Sequence, residues 1–419
     1  MTAKIKVCLY LIFIISLLLL SGCWDRGELE ELAMVQAMGI DYLPEEEKFE
    51  VTLSVIRPAD LGAGGMEGGI EGEIEPTRTI TTRGDTISVA LEQQNAFLPR
   101  RTYYAHNDIV IVGETLAKRG LHHILDRLVR ERDTRLTLNM FVTSEDVKDL
   151  MRSGSRLEMS LPEEIRDMKQ RTNQRSLRPE VNQLDFVRYL LAGGRDPYLP
   201  LLEVREEEPT SPQEAEIAGT LGEGEDSEQL VKYPHLYGTA VFKEDRLAGF
   251  LDGHETKGLL YVEEGIIDSR DAIEDPEGRP GKVVLITISS SSEITPRVEN
   301  GEPEILVEIV EEGDICCQTA ATHIFTMENF RRMEALKESL IKGYVEDALE
   351  KVQEWEADIF GFGQKFQTHY PDYWETIEDD WREIYTEMEV IVEVESHIRR
   401  TGLIERPPFH PHHESPVEE

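Results

Sequence analysis

Short apolar runs separated by turn residues fill most of this chain, and one long helical stripe lies near its end. Leu32 to Asp41 and Phe49 to Ile56 are apolar-rich, and Tyr42-Leu43-Pro44-Glu45 between them has turn chemistry, which predicts a β-hairpin. Asp85 is placed to cap a helix running to about Gln94, Ile109 to Val112 reads as a strand, and Glu114 to Arg130 as a helix broken at Gly120. Leu136 to Thr143 predicts another strand, with Ser144 capping a short helix to about Arg152. Pro162 to about Leu191 reads as mostly helical. Tyr237 to Phe242 and Leu247 to Leu251 flank Glu244-Asp245 as a second hairpin, and Asp252 with Glu255 forms a capping box for a helix through Leu260. Val283 to Ser290 and Ile305 to Val310 follow as strands. Phe330, Met333, Leu336, Leu340, Tyr344, Ala348, Val352, Trp355 and Ile359 then recur at three- and four-residue steps, the signature of an amphipathic helix. Its stripe either packs across a C-terminal sheet or fills a partner's groove. Finally Met388, Val390, Val392 and Val394 alternate with glutamates, a strand with one wet face.

These elements define an α+β chain without strict βαβ alternation. They suggest three subdomains with mixed or antiparallel sheets and the long helix packed on a sheet. Residues 23–200 form an N-terminal α+β region, residues 201–233 an acidic linker, residues 234–404 a C-terminal α+β domain, and residues 405–419 a disordered tail. The linker is placed by the Glu-, Gly-, Ser- and Pro-rich stretch from Glu206 to Tyr233.

The first residues carry a different signal. Lys4 and Lys6 precede an apolar run, Val7 to Leu20, broken only by Tyr10 and Ser16, and Leu20-Ser21-Gly22-Cys23 ends it. A basic start, an apolar core and small residues before the cut describe a signal peptide over 1–22. The cysteine makes the junction a lipobox, with Cys23 the lipidation site and the mature N-terminus. The run is short for a membrane span of about 20 residues, and diacyl anchoring holds where one chain does not.

Charge narrows the partners. The chain has 44 Lys and Arg against 83 Asp and Glu, a formal net charge of −39. Such a surface repels nucleic-acid phosphates and anionic headgroups alike. It serves either solubility or a salty or alkaline medium. With Cys8 in the signal peptide and Cys23 lipidated, only the adjacent Cys316 and Cys317 remain, expected as free thiols on a strand without zinc spacing.

Catalytic motifs are missing from the pattern. No nucleophile elbow, Walker loop or zincin helix occurs. Gly62 and Gly64 lie in an acidic loop with no following lysine. His122-His123 is expected to point its rings apart on a helix, and His410, His412 and His413 sit in a Pro-rich tail. No catalytic, cofactor-binding or metal-ligating residue is assigned, and the covalent lipid on Cys23 is the one attached group expected.

Several blocks go further. Gly22-Cys23-Trp24-Asp25-Arg26-Gly27-Glu28-Leu29 with Ile40-Asp41, then His106 to Glu114, then Leu125-Asp126-Arg127-Leu128-Val129-Arg130 with Arg135 resemble the C-subunit lipoproteins of spore germination receptors, the Ger(x)C or GerAC-like family. Gly238-Thr239-Ala240-Val241-Phe242-Lys243, Glu255 to Leu260, Ala357 to Gly363 and Ile398-Arg399-Arg400-Thr401-Gly402 continue the resemblance in order. It implies a non-catalytic subunit of a germinant receptor, needed for nutrient-triggered germination, beside integral-membrane A and B subunits. It also implies an outer-face location on the cytoplasmic membrane of the spore, the inner membrane, and an α+β ectodomain of three parts. In the Ala357–Gly363 block, Gly361 and Gly363 are expected to supply the positive φ of a helix C-cap, anchored by Ile359, Phe360 and Phe362. Arg399-Arg400 either pairs with local carboxylates or faces a partner or the membrane. The competing reading is a solute-binding lipoprotein of a membrane importer, against which the β-rich C-terminal half and single long helix argue.

Overall fold

A computed structural model describes residues 31–56, 77–131, 134–153, 160–170, 177–208, 231–320 and 322–400, with Tyr10, Phe13 and Glu158 besides. Cys23, the rest of the signal-peptide junction and the 405–419 tail lie outside the described residues.

The first hairpin forms as its pattern predicts, β1 (Leu32–Leu43) antiparallel to β2 (Lys48–Ile56). Strand β3 (Thr77–Gly84) and helix α1 (Ile87–Phe97) follow. Thr86, not Asp85, caps α1: its hydroxyl accepts from the Val89 N–H. Strands β4 (Arg101–Tyr103) and β5 (Ile109–Gly113) precede α2 (Glu114–Arg119) and α3 (His122–Arg130), and the break falls at Gly120, φ 120°. Strand β6 is Asn139–Thr143, so Leu136 and Thr137 stay outside it. Helix α4 (Val147–Arg152) is capped by Asp146 rather than Ser144, because Asp146 reaches the Asp149 N–H. The expected helical stretch 162–191 is two helices, α5 (Leu161–Gln170) and α6 (Gln183–Leu191), the second opened by an Asn182–Asp185 capping box.

The stretch 201–233, expected as an acidic linker, holds strand residues at both ends, and 209–230 lie outside the described residues. Residues 198–207 form β7 (Tyr198–Glu207), and β8 (Val231–Lys243) begins before 234. Charged residues near 203–207 occur in a strand because β8 supplies its ladder, pairing Glu203 with His235 and Glu206 with Lys232. Strand β9 (Arg246–Leu251) then closes a nine-stranded sheet in the order β3-β2-β1-β5-β6-β7-β8-β9, with β4 beside β1.

The centre of this sheet is parallel (β1, β5, β6) and buried on both faces, which explains its unbroken apolar runs. Ile109, Ile111 and Phe141 face α4 and α5, while Val110, Val112, Met140 and Val142 face α1 to α3 and Phe186 of α6. Strand β6 meets β7 at a single register pair, Val142 with Leu201.

Helix α7 (Gly253–Glu263) carries the predicted capping box: the Asp252 carboxylate accepts from the His254 and Glu255 N–H groups, while the Glu255 carboxylate accepts from the Asp252 N–H. A second sheet follows, β10 (Arg270–Glu274), β11 (Lys282–Glu299), β12 (Glu302–Gln318) and, parallel to β12, β13 (Glu389–Arg400). Strands β11 and β12 run far beyond the apolar segments that announced them. An Asn300-Gly301 turn, both residues at positive φ, sets their register, and pairing carries the ladder through the serines. Cys316 and Cys317 are exposed free thiols on β12, as expected.

Helix α8 (Met327–Glu354) lies across this sheet. Met333 packs with Ile273, Val283, Leu285 and Ile315; further along, Ile341, Val345, Ala348 and Val352 share a core with Ile305, Val307, Ile309 and Val392. Trp355 is the C-cap, half-buried, and Ile359 lies beyond the helix. Short helices α9 (Phe362–His369), α10 (Pro371–Ile377) and α11 (Trp381–Glu387) lead to β13. The architecture is α+β and multidomain, with two sheets and a long C-terminal helix on one of them.

Candidate functional site

Two loops from distant parts of the chain meet in a buried charge network. The first, Ala192 to Pro197, follows α6; the second, Trp355 to Gly361, follows α8. The Asp196 N–H donates to the Asp358 carbonyl at 2.8 Å, and the Asp358 N–H donates to Asp196 Oδ2 at 3.0 Å. Arg382 of α11 grips Asp196 with both terminal nitrogens, at 3.0 and 3.2 Å, and the Glu244 N–H adds a bond at 2.8 Å. Bidentate pairing of this kind fixes direction as well as distance.

Asp358 is fully enclosed. Its carboxylate accepts from the N–H groups of Phe362 (3.0 Å) and Gly363 (2.8 Å) and from the Trp381 indole at 3.1 Å. Burial pushes its carboxyl up to about 7, against those two backbone donors and with the charge of Asp196 adding to the rise. The bonds that the two carboxylates accept go to donors that hold a loop in place.

The glycines here have distinct duties. Gly361 takes a left-handed conformation, φ 67°, as the N-cap of α9. Gly363 is helical; a Cβ there would stand 2.7 Å from the Gly194 Cα and from the Trp381 indole nitrogen. Neither caps the long helix: Glu356, at φ 54°, turns the chain just after Trp355. Close approach of Gly194 to Gly363 brings the loops together, and the Gln364 N–H donates to the Gly194 carbonyl at 3.1 Å.

Arg195 completes the junction. Its guanidinium pairs with the enclosed Glu263 of α7 and stacks 3.9 Å from the centre of the Tyr189 ring. Burial opposes the cation, but Glu263, Tyr198 and Tyr189 outweigh it and hold Arg195 above its ordinary value. A cavity of about 210 Å³ lies beside the network, bounded by Asp196, Asp358, Trp374, Trp381, Arg382 and Tyr385.

A second buried network lies inside the C-terminal half. Asp271 accepts from Lys257 at 2.6 Å, Lys337 at 2.5 Å, the Tyr344 hydroxyl at 3.1 Å and Ser269 at 3.2 Å. Burial raises the Asp271 carboxyl, but Lys337 and Lys257 more than cancel it and bring it to about 2. Lys337 is fully buried on α8, Lys257 comes from α7 and Asp271 from β10, so one carboxylate ties three elements.

The blocks singled out in the sequence are distributed over these features. Lys257 belongs to the second network and Asp358 to the first. Asp41 lies on β1 against Gly113, where burial raises its carboxyl to about 6. Asp108 binds Arg166 through two bonds, at 2.7 and 3.0 Å. Lys243 pairs with Glu356, and Arg399 with Glu312 at 2.5 Å, so Arg399 takes a local carboxylate. The His122 and His123 rings do not point apart: their centroids are 3.8 Å apart, and His122 meets Asp245 at 2.8 Å. Among the described residues no group of three or more His, Cys, Asp or Glu converges as a metal site. Sequence reasoning missed Gly194, Arg195, Asp196, Asp271, Lys337 and Arg382. The one local signal was Gly193-Gly194-Arg195-Asp196, two glycines and an opposed charge pair directly after a helix.

The geometry defines a protein whose N- and C-terminal parts are joined by the buried Arg195–Glu263 pair and by Asp196, held between Asp358 and the half-exposed Arg382. Residues 25–204 match the family described as spore germination protein N-terminal domain, and residues 237–402 match spore germination B3/GerAC like, C-terminal. The chain belongs to the GerAC-like family of spore germination proteins. It is 26% identical to spore germination protein KC of Bacillus subtilis (strain 168) over 97% of this chain and 98% of that one. Spore germination protein B3 of the same organism is 21% identical over 93% and 96%. The fold is similar to the crystal structure of the GerBC protein, with a TM-score of 0.52 at 16% identity, covering 86% of this chain and 96% of that one.

Proposed function

We propose that this chain is a non-catalytic, lipid-anchored subunit of a spore germinant receptor, held at the outer face of the spore inner membrane beside integral-membrane A and B partners. The ordered match of both halves, 25–204 and 237–402, to spore germination families carries the receptor reading. The anchor rests on Leu20-Ser21-Gly22-Cys23. Among the described residues no helix is long and apolar enough to cross a membrane. The carboxylates of the junction are spent on loop amides and Arg382, an arrangement suited to fixing orientation. A rigid body tethered by lipid can pass a positional signal to membrane partners.

The test is a gene deletion complemented with the wild-type or the Cys23→Ala chain. The deletion should abolish the response to the nutrients of its own receptor and leave non-nutrient triggers intact. Cys23→Ala should carry no labelled fatty acid and should fail to restore that response. An unchanged nutrient response in the deletion strain would overturn the receptor reading, and labelled Cys23→Ala would overturn the anchor.

A further inference from the structure

Neighbouring residues of a regular strand point to opposite faces, which would set two adjacent cysteines on opposite sides of a sheet. Cys316 and Cys317 of β12 depart from that rule. Ile315 pairs with Leu285 of β11 and Cys317 with Val284, so one step along β11 is met by two along β12. Cys316 is the extra residue, and the register shift marks a β-bulge.

The faces follow from the pairing. Ile315, Leu285 and Val283 pack with Met333 of α8, and Gln318, the partner of Val283, shares their face. Val284 lies between Val283 and Leu285, so it and its partner Cys317 face away from α8. Cys316 follows Ile315 and turns the same way. The bulge therefore sets both thiols on one face, and both are exposed. The described pairing of β13 with β12 ends at Asp314 and Arg400, short of the cysteines. What burial Cys317 has raises its thiol, and Cys316, as a charge and as a hydrogen-bond partner, adds to the rise, so the two sulfurs lie within reach of one another.

Two thiolates so placed can chelate one ion. Among the described residues no third His, Cys, Asp or Glu converges on them. That donor set does not suit a structural zinc ion, which takes four protein ligands. It suits a soft ion content with two sulfurs, and thiolate sulfur favours copper(I). The net charge of −39 draws cations toward the surface.

We propose that Cys316 and Cys317 form a two-sulfur site for a soft monovalent metal ion, copper(I). Each thiol loses its proton as its sulfur binds, both protons pass to solvent, and copper keeps its oxidation state, so the step needs neither oxidant nor reductant. The inference stands on the bulge and the two thiols, whatever the outcome for the receptor reading.

The experiment uses the full-length chain carrying Cys8→Ser and Cys23→Ser, which leaves Cys316 and Cys317 as its thiols. It is titrated anaerobically with copper(I) against a coloured chelator that competes for the ion. One copper per chain is expected. Cys316→Ser and Cys317→Ser should each weaken binding by about a hundredfold or more, because one sulfur remains where two acted together. The variant Cys316→Ser/Gln318→Cys keeps two adjacent thiols but turns one toward α8, and should bind as weakly as the single variants. Undiminished binding with both cysteines replaced by serine would assign the copper to other residues and overturn the proposal. Unchanged affinity in either single variant, or full affinity in the Cys316→Ser/Gln318→Cys variant, would overturn it as well.

Discussion

Asp196 and Asp358 hold each other although 162 positions separate them: the Asp196 N–H donates to the Asp358 carbonyl at 2.8 Å, and the Asp358 N–H donates to the Asp196 carboxylate at 3.0 Å. The pair makes the loop after α6 and the loop after α8 a single unit.

Removing the Asp196 carboxylate should therefore be costly. Asp196→Ala leaves the Asp358 and Glu244 amides unpaired and Arg382 without its buried counter-ion, a loss of about 2–4 kcal/mol. Arg382→Ala should cost about 1 kcal/mol or less, since its side chain is 37% exposed. Urea unfolding of the two variants checks the order; an equal or reversed ranking would show that the carboxylate is not the hub.

Stability should fall as pH rises toward neutrality. The folded Asp358 carboxyl sits at about 7 against an ordinary value of 3.8, and Asp41 at about 6. Between the ordinary and the raised values the folded chain holds protons that the unfolded chain has released. That stabilisation is complete below the ordinary value and is lost as pH climbs through about 6 to 7. Asp271 acts oppositely, losing its contribution only as pH drops through about 2. Comparing urea midpoints at about pH 5 and about pH 8 measures the effect. Asp358→Asn should flatten the decline, and an equally steep decline in that variant would assign it to other groups.

Gly363→Ala should open the junction without touching a charge. The new methyl group meets the Gly194 backbone and the Trp381 indole, both at 2.7 Å. Overpacking of this order costs about 1–3 kcal/mol. Near-UV circular dichroism from Trp374 and Trp381, whose ring centres lie 5.3 Å apart, should change with it. A wild-type spectrum and stability would mean the loops can part freely.

In the second network, Asp271→Ala strands the buried Lys337 and should cost about 3–5 kcal/mol. Lys257→Ala should cost less, because its side chain is 13% exposed and Asp271 keeps Lys337. Thermal unfolding distinguishes them; equal losses would show that removing Lys257 alone undoes the whole network.

Trp355 lies on the apolar stripe, yet it packs its ring against Gly249 of β9 rather than deep in the core. Trp355→Ala should then cost about 1–3 kcal/mol, below the roughly 3–5 expected for a fully buried tryptophan. A full core penalty in denaturant melts would contradict the half-buried placement.

What could be read along the chain were the features whose partners lie within a few residues. The Asp252–Glu255 capping box, the alternation of β13, the break at Gly120 and the stripe of α8 all use hydrogen bonds or side-chain periodicities local to one element. Even there the cap shifted by one or two residues, from Asp85 to Thr86 and from Ser144 to Asp146, since neighbouring polar residues compete for the same amides. Strand β7 was hidden because its outer half is charged and owes its pairing to β8, beyond the acidic stretch. The junction was hidden for a stronger reason. Asp196 and Asp358 are unremarkable charges until packing encloses them, and burial is what turns an aspartate into an obligatory hydrogen-bond acceptor. Local chemistry set the elements; enclosure by the tertiary fold selected which charges had to find one another.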